Sequence, residues 1–359
     1  MRCLFALLLS VCCLTASPSE LWYPQPAGTE AEAFPLGDGN GQPWRVYGDP
    51  KKERIEQGDT RITLEWLDGD QEPRNYRRAL DLDTGVATAT WKRGGSTITC
   101  TELASLADDV FLIHLLADMP GALGFRTGFA EPGTKPTGNR GELAASKSRL
   151  WVFPFESEVA PEGNDMVVRG EGEALIVVST GAGSLAKLAA KYDPGAEHPD
   201  ASKLWHKALE AHVSAHRTRM GGCVIDLGGH EAAAKPTDER LKASNWQTND
   251  PGLAVLMDQY GRYLTRLCLP ATVKSDVRSK LVEEKNGTVI LLPALPEEWK
   301  DGSVKNLPVG AAEMIPEYTV DMAWKDGRVT QYEIHRSQPT GPEKVKVRIN
   351  GSETETTVR

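Results

Sequence analysis

The sequence has no apolar run long enough to cross a bilayer, no block of like charge, no low-complexity segment, no internal repeat and little cysteine. Each absence closes off a class. The longest apolar stretch, Leu4 to Leu14, falls well short of the roughly 20 residues that a membrane-spanning helix requires. It follows Arg2 and precedes Thr15-Ala16-Ser17, the arrangement of a cleaved secretory leader over residues 1–19. That leader holds three of the six cysteines, and the remaining Cys100, Cys223 and Cys268 allow at most one bridge, so no disulfide framework holds the fold. The 41 basic and 50 acidic side chains are interspersed and sum to −9, which argues against nucleic acid and anionic membranes as partners. A soluble exported chain, secreted or periplasmic, is the expectation.

What is present reads mainly as β-structure. From Thr60 to Asp118 short β-rich runs alternate with turns: Arg61 to Leu67, Tyr76 to Leu82, Val86 to Trp91, Ser96 to Ala104 and Val110 to Ala117. Leu123 to Phe129, Leu150 to Phe155, Met166 to Arg169 and Ala174 to Ser179 continue the series, and strands at this spacing predict an antiparallel β-sandwich over residues 20–200. After Pro270, Lys274 to Asn286 is charged and reads as surface. Thr288 to Leu292, Thr319 to Trp324, Val329 to His335 and Lys344 to Ile349 then predict a small β domain over residues 273–359, with Lys325-Asp326-Gly327 as a tight hairpin. The Asn286-Gly-Thr and Asn350-Gly-Ser triplets match the glycosylation acceptor and mark exposed loops.

Between the β regions lies a helical linker, residues 201–272. Leu253, Leu256, Met257, Tyr260, Leu264 and Leu267 keep one face of a helix through four turns, with Asp250 as cap, Pro251 at the first position and Pro270 at the end. Such a stripe must be covered, by a β domain of the same chain or by a protein partner over Leu253 to Leu267. Ser202 to Arg219 is a second helix, with Ser202 as cap. Its His212 and His216 have metal-ligand spacing, but without the glutamate of a zincin motif or a third ligand they read as partly exposed histidines. Asp68, Asp70, Asp81 and Asp83 read as turn residues rather than calcium ligands. No metal and no cofactor is expected.

The segment Leu21 to Gly48 interleaves aromatics with prolines and glycines around Pro35-Leu36-Gly37-Asp38-Gly39-Asn40-Gly41. It lacks the strand, helix and Lys-Ser/Thr of a phosphate loop, so it reads as an ordered surface loop. If the chain keeps a glycan contact, Trp22 and Trp44 would stack on the sugar face, and Asp38, Asn40 and Arg45 would bond its hydroxyls. The competing reading makes these aromatics anchors of the loop on the sandwich.

Three segments together resemble glycoside hydrolase family 95, the inverting α-L-fucosidases and related α-galactosidases. The first runs from Leu21-Trp22-Tyr23 through Pro35-Leu36-Gly37-Asp38-Gly39 and Lys52-Glu53-Arg54-Ile55 to Tyr76-Arg77-Arg78-Ala79-Leu80-Asp81-Leu82-Asp83-Thr84-Gly85. The second comprises Ile225-Asp226-Leu227-Gly228-Gly229, Pro236-Thr237-Asp238-Glu239-Arg240-Leu241 and Gln259-Tyr260-Gly261-Arg262-Tyr263-Leu264. The third comprises Leu291-Leu292-Pro293-Ala294-Leu295-Pro296, Asp301-Gly302-Ser303-Val304-Lys305 and Val320-Asp321-Met322-Ala323-Trp324-Lys325-Asp326-Gly327. The resemblance implies a sandwich, a linker, the first helix of an (α/α)6 barrel at Gln259 to Leu264, and a C-terminal β domain. It also implies that almost the whole catalytic barrel is missing. Where the family's asparagine motif should begin, the chain reads Ala271-Thr272-Val273-Lys274-Ser275-Asp276, so no catalytic residue carries over. The acidic pairs Glu283-Glu284 and Glu297-Glu298 are adjacent in sequence, which does not place two carboxyls across a sugar. Three functions follow as expectations: an enzyme using other carboxylates or completed by a barrel-bearing partner, an inactive carbohydrate-binding or scaffold module, or a product with no selected activity.

Overall fold

The computed structural model describes residues 19–67, 72–130, 135–136, 141–145, 148–155, 159–180, 184–195, 200–268, 276–310, 316–337 and 343–358. Residues 1–18 of the expected leader, Asp68, Asp70, Pro270 and the stretch Ala271 to Ser275 lie outside the described residues.

Two antiparallel sheets form the N-terminal sandwich. Among the described residues nine strands make the larger, in the order Glu20–Tyr23, Arg74–Asp81, Val86–Arg93, Ser96–Ala104, Phe111–Ala117, Glu173–Ser179, Arg149–Pro154, Glu142–Ala144 and Lys135–Pro136. Six make the smaller: Ala160–Glu162, Asp165–Glu171, Leu123–Phe129, Thr60–Trp66, Lys52–Gln57 and Arg45–Asp49. Alternation explains the layers, since successive side chains of a strand point to opposite faces. In Glu173–Ser179, Ala174, Ile176 and Val178 enter the core between the sheets, while Leu175 and Val177 face outward. That outward face is also apolar because helices cover it: Leu188 from Ser184–Tyr192, and Leu204, Trp205 and Ala208 from Ala201–Met220. A half-buried sheet would show a polar outer face; this one is buried on both sides.

The helix Ala201–Met220 starts one residue earlier than the sequence suggests. Its cap is Asp200, which accepts from Lys203 N at 3.0 Å, rather than Ser202. Packing on the sandwich also buries His212 and His216, at 1 % and 0 % exposure, which corrects the expectation of partly exposed histidines. His212 Nδ1 accepts from Leu106 N, and His216 Nε2 donates to Leu82 O at 2.9 Å. Asp81 and Asp83 sit in the turn beneath them, where Asp81 accepts from Asp83 N and Thr84 Oγ1, as turn chemistry requires. Among the described residues no three His, Cys, Asp or Glu side chains converge as a metal site.

The stripe helix spans Pro251–Tyr263 and relaxes into a wider π turn over Leu264–Cys268. Asp250 caps it, accepting from Leu253 N at 2.9 Å and taking a two-pronged ion pair from the buried Arg240 at 2.8 and 2.9 Å. Leu253, Leu256, Tyr263 and Leu267 enter the sandwich core, whereas Ala254 and Val255 enter the core of the C-terminal domain. Met257, Tyr260 and Leu264 are half-buried against the sandwich. One short helix thus belongs to two cores.

The C-terminal region holds two four-stranded sheets. One is Val224–Asp226, Gly302–Pro308, Tyr318–Lys325 and Arg328–Arg336; the other is Val282–Lys285, Thr288–Leu291, Glu343–Ile349 and Ser352–Val358. Val224–Asp226 comes from the linker, so the linker is stitched into this domain by a ladder to Gly302–Pro308. One pair, Thr288–Leu291 with Glu343–Ile349, is parallel. Lys274 to Asn286 is more than surface: it carries the helix Val277–Leu281 and the strand Val282–Lys285, with Val277 and Leu281 in the core. Asp326-Gly327 turns the expected hairpin with both φ angles positive, and Asn286-Gly287 and Asn350-Gly351 do the same. The two glycosylation-like triplets are therefore two-residue hairpin turns. At Asn350 the side-chain amide is bonded to Val329 N and O.

Candidate functional site

The Gly-rich loop is a clamp on the end of the stripe helix. Leu36 and Trp44 exchange backbone hydrogen bonds at 2.8 and 2.9 Å and close the loop. Gly37 N donates to Tyr263 Oη at 3.2 Å, that hydroxyl donates to Pro35 O at 2.8 Å, and Gly39 N donates to Leu267 O at 3.1 Å. A Cβ on Gly37 would lie 2.3 Å from Leu267 O, so only glycine lets the two backbones meet. The close approach that the glycines permit is to a helix of this chain.

That clamp decides where the five candidate glycan contacts go. Trp44 points into the core, 3 % exposed, with its ring stacked on Phe111 at 4.7 Å. It offers no face to a sugar. Trp22 is half-buried in the first strand: its indole donates to Ala233 O at 2.9 Å, its N–H to Thr237 Oγ1, and Arg77 lies over its ring at 5.0 Å. Both tryptophans therefore anchor the loop and the linker. Asp38 turns its own loop, accepting from Asn40 N at 2.8 Å and from Gln57 Nε2 at 3.4 Å. Arg45 pairs with Glu30 at 3.4 Å and bonds the carbonyls of Glu30 and Ala33. Asn40 is exposed at the loop tip. The structure brings Asp38 and Asn40 together and leaves both tryptophans elsewhere.

Two carboxyls that sequence reasoning did not single out face each other's field inside the sandwich. Glu53, from the small sheet, and Glu102, from the large one, are 5 % and 8 % exposed and line a cavity of about 30 Å3 with Tyr76 and Arg78. Period-two alternation was the available signal: Glu53 shares the inward face with Ile55, and Glu102 with Ile98 and Cys100. Burial pushes the Glu102 carboxyl up to about 7, against which the Cys100 thiol and Arg78 work. Burial pushes Glu53 well above the carboxylate range too, aided by the charges of Glu102 and Asp49, and its Oε2 has no hydrogen-bond partner. Raised carboxyls are what a general acid needs. Space forbids that role here, because about 30 Å3 holds a water or two and a sugar site takes roughly 300 Å3 or more. The pairs Glu283-Glu284 and Glu297-Glu298 are exposed on the C-terminal domain.

Comparison with known proteins follows the same division. The glycosyl hydrolase family 65 N-terminal domain matches residues 57–187, the glycosyl hydrolase family 95 catalytic domain residues 204–268, and the glycoside hydrolase family 95 C-terminal domain residues 284–358. The chain is glycoside hydrolase family 95-like. Its catalytic region is truncated: the match ends with the π turn at Cys268 and the C-terminal domain begins at 284. A curated relative, "Alpha-L-fucosidase 2" of Arabidopsis thaliana, is 25% identical over 165 residues, which is 46% of this chain and 16% of that protein. Among solved structures, a putative kojibiose phosphorylase from the human microbiome aligns over 68% of this chain and 42% of its own at 11% identity and TM-score 0.35. A bacterial glucoamylase complexed with acarbose aligns over 67% and 44% at 5% identity and TM-score 0.35. Similarity at that level carries no inference about function. The family-95-like chain holds a sandwich, a catalytic-domain segment over residues 204–268 and a C-terminal domain; the Gly37 clamp joins the sandwich to the stripe helix, and the Asp250–Arg240 pair fixes the start of that helix.

Proposed function

We propose that the chain is an exported, catalytically silent scaffold of the family-95 type, built to hold its sandwich and C-terminal domain together around one residual barrel helix. The observation that carries this reading is the stripe helix itself. In a barrel its apolar face would meet other helices; here Leu253, Leu256, Tyr263 and Leu267 are consumed by the sandwich core. Covering Leu253 to Leu267 within the chain removes the need for a protein partner at that face. Hydrolysis with inversion needs an acid and a base roughly 6.5–9.5 Å apart with a sugar between them. Of the candidates left, Glu53 and Glu102 have no room, and Glu283-Glu284 and Glu297-Glu298 are exposed pairs, with Glu284 bordering a cavity of about 420 Å3 beside Glu317 and Glu343.

The alternative, a carbohydrate-binding module acting beside a separate barrel-bearing protein, is favoured only by the exposed Asn40 and the adjoining Asp38, since neither tryptophan is free to stack. Thermal unfolding with iminosugar mimics of the fucosyl and galactosyl cations tests the main reading. On this reading neither should raise Tm; a saturable rise would overturn it. Export is tested by the mass of the protein recovered outside the cytoplasm, which should correspond to a start near residue 20. Recovery of the uncleaved chain in the cytoplasm alone would contradict it.

A further inference from the structure

A second cavity lies where the sandwich, the linker and the stripe helix meet. Its volume is about 310 Å3, the lower end of the range for small-molecule sites. Leu82 and Met220 give it an apolar wall, and Arg217, Arg262, Gln259 and Asp83 give it polar groups.

The charge in this cavity is out of balance. Arg262 is 9 % exposed, and its Nη2 donates to Met220 O at the end of the long helix, while its Nε has no partner. Arg278 and Arg266 stand near it, and together with burial, the larger effect, they pull it down to about 10, so it remains charged at neutral pH. Asp258, the carboxylate whose charge acts on Arg262, is bonded to Arg278 at 3.1 Å. A buried guanidinium bonded to no carboxylate is costly, and the usual remedy is an opposite charge. Arg217 adds a second, exposed guanidinium to the same cavity, and Gln259 Oε1 is a buried acceptor without a donor.

We propose that this junction pocket binds a uronate, the carboxylate-bearing form of a sugar. Arg262 and Arg217 take the carboxylate and Leu82 and Met220 pack against the ring, while the Asp83 carboxylate beside them opposes the ligand's charge. That the anion is carried on a sugar rests on the family-95 likeness, while its site needs neither catalysis nor the Asp38–Asn40 loop.

The test is calorimetric or NMR titration of the full chain with methyl glucuronoside and with methyl glucoside. Saturable binding of the acid and none of the neutral sugar is expected. Arg217→Gln should weaken it about two- to fivefold, the worth of one exposed charge pair, and Asp83→Asn should tighten it by a similar factor. Both positions are exposed, so unfolding of either variant is not expected, and unchanged Tm values verify it. No binding of the uronate, equal binding of the glucoside, or the same affinity in wild type, Arg217→Gln and Asp83→Asn would each overturn the proposal.

Discussion

Replacing Glu102 by glutamine should stabilise the protein at alkaline pH and do almost nothing at acid pH. The carboxyl is 8 % exposed and, through burial, titrates at about 7 instead of its ordinary 4.5. A folded state that holds its proton more tightly than the unfolded state loses stability as pH rises between the two values. Below about 4.5 both states are protonated and burial of a neutral carboxyl carries no ionic cost; above about 7 the whole cost is present. At 1.36 kcal/mol per pKa unit, that cost is about 3 kcal/mol. The buried histidines act in the opposite sense. His212 is held down to about 4 by burial and by the neighbouring His216, so its contribution is present above about 6.5 and is lost as pH falls toward 4. A pH profile of wild type alone mixes both signs, whereas the difference between wild type and Glu102→Gln cancels the histidines. Urea unfolding at pH 5 and pH 8 reads that difference. It should be under about 1 kcal/mol at the lower pH and favour the variant by about 3 kcal/mol at the higher. A variant that is less stable at pH 8, or a difference that does not change with pH, would refute the assignment of a buried, proton-retaining carboxyl.

Gly37→Ala should cost about 1–3 kcal/mol in the same assay, because its Cβ meets the backbone of Leu267 and not a movable side chain; an unchanged midpoint would mean that the loop does not clamp the helix. Asp250→Ala removes a helix cap and strands the buried Arg240, so a loss of about 3 kcal/mol or more is expected, with Asp250→Asn falling between it and wild type. Equal losses in the two variants would show that only the cap matters. Imidazole NMR should show His212 neutral at pH 6 and titrating near 4, and a midpoint close to 6.5 would contradict its burial.

The sandwich, the stripe helix and the C-terminal hairpin were legible because each rests on local periodicity or on a two-residue turn code. Ile98, Cys100 and Glu102 alternate as a strand should, and Leu253 to Leu267 repeats as a helix should. Asn286-Gly287 and Asn350-Gly351 carry the same turn code as Asp326-Gly327, overlapped in both by the glycosylation triplet. Burial of Trp44 was not legible, since it depends on the bridge between Leu36 and Trp44, which sets the direction of the ring only once the loop is closed. The cavity of Glu53 and Glu102 needs two sheets in contact, and no pattern within one strand reports its partner across the core. Burial of His212 and His216 was not legible for a similar reason: it depends on their helix packing on the sandwich.

Turnover of an aryl α-L-fucoside and an aryl α-galactoside by the purified chain is the most direct measurement. Without a positioned acid and base each reaction forgoes roughly 10²–10⁴-fold per group, so no saturable rate above buffer is expected. Saturable turnover abolished by substituting one of Glu53, Glu102, Glu283, Glu284, Glu297 or Glu298 would contradict the account and make the chain a minimal hydrolase.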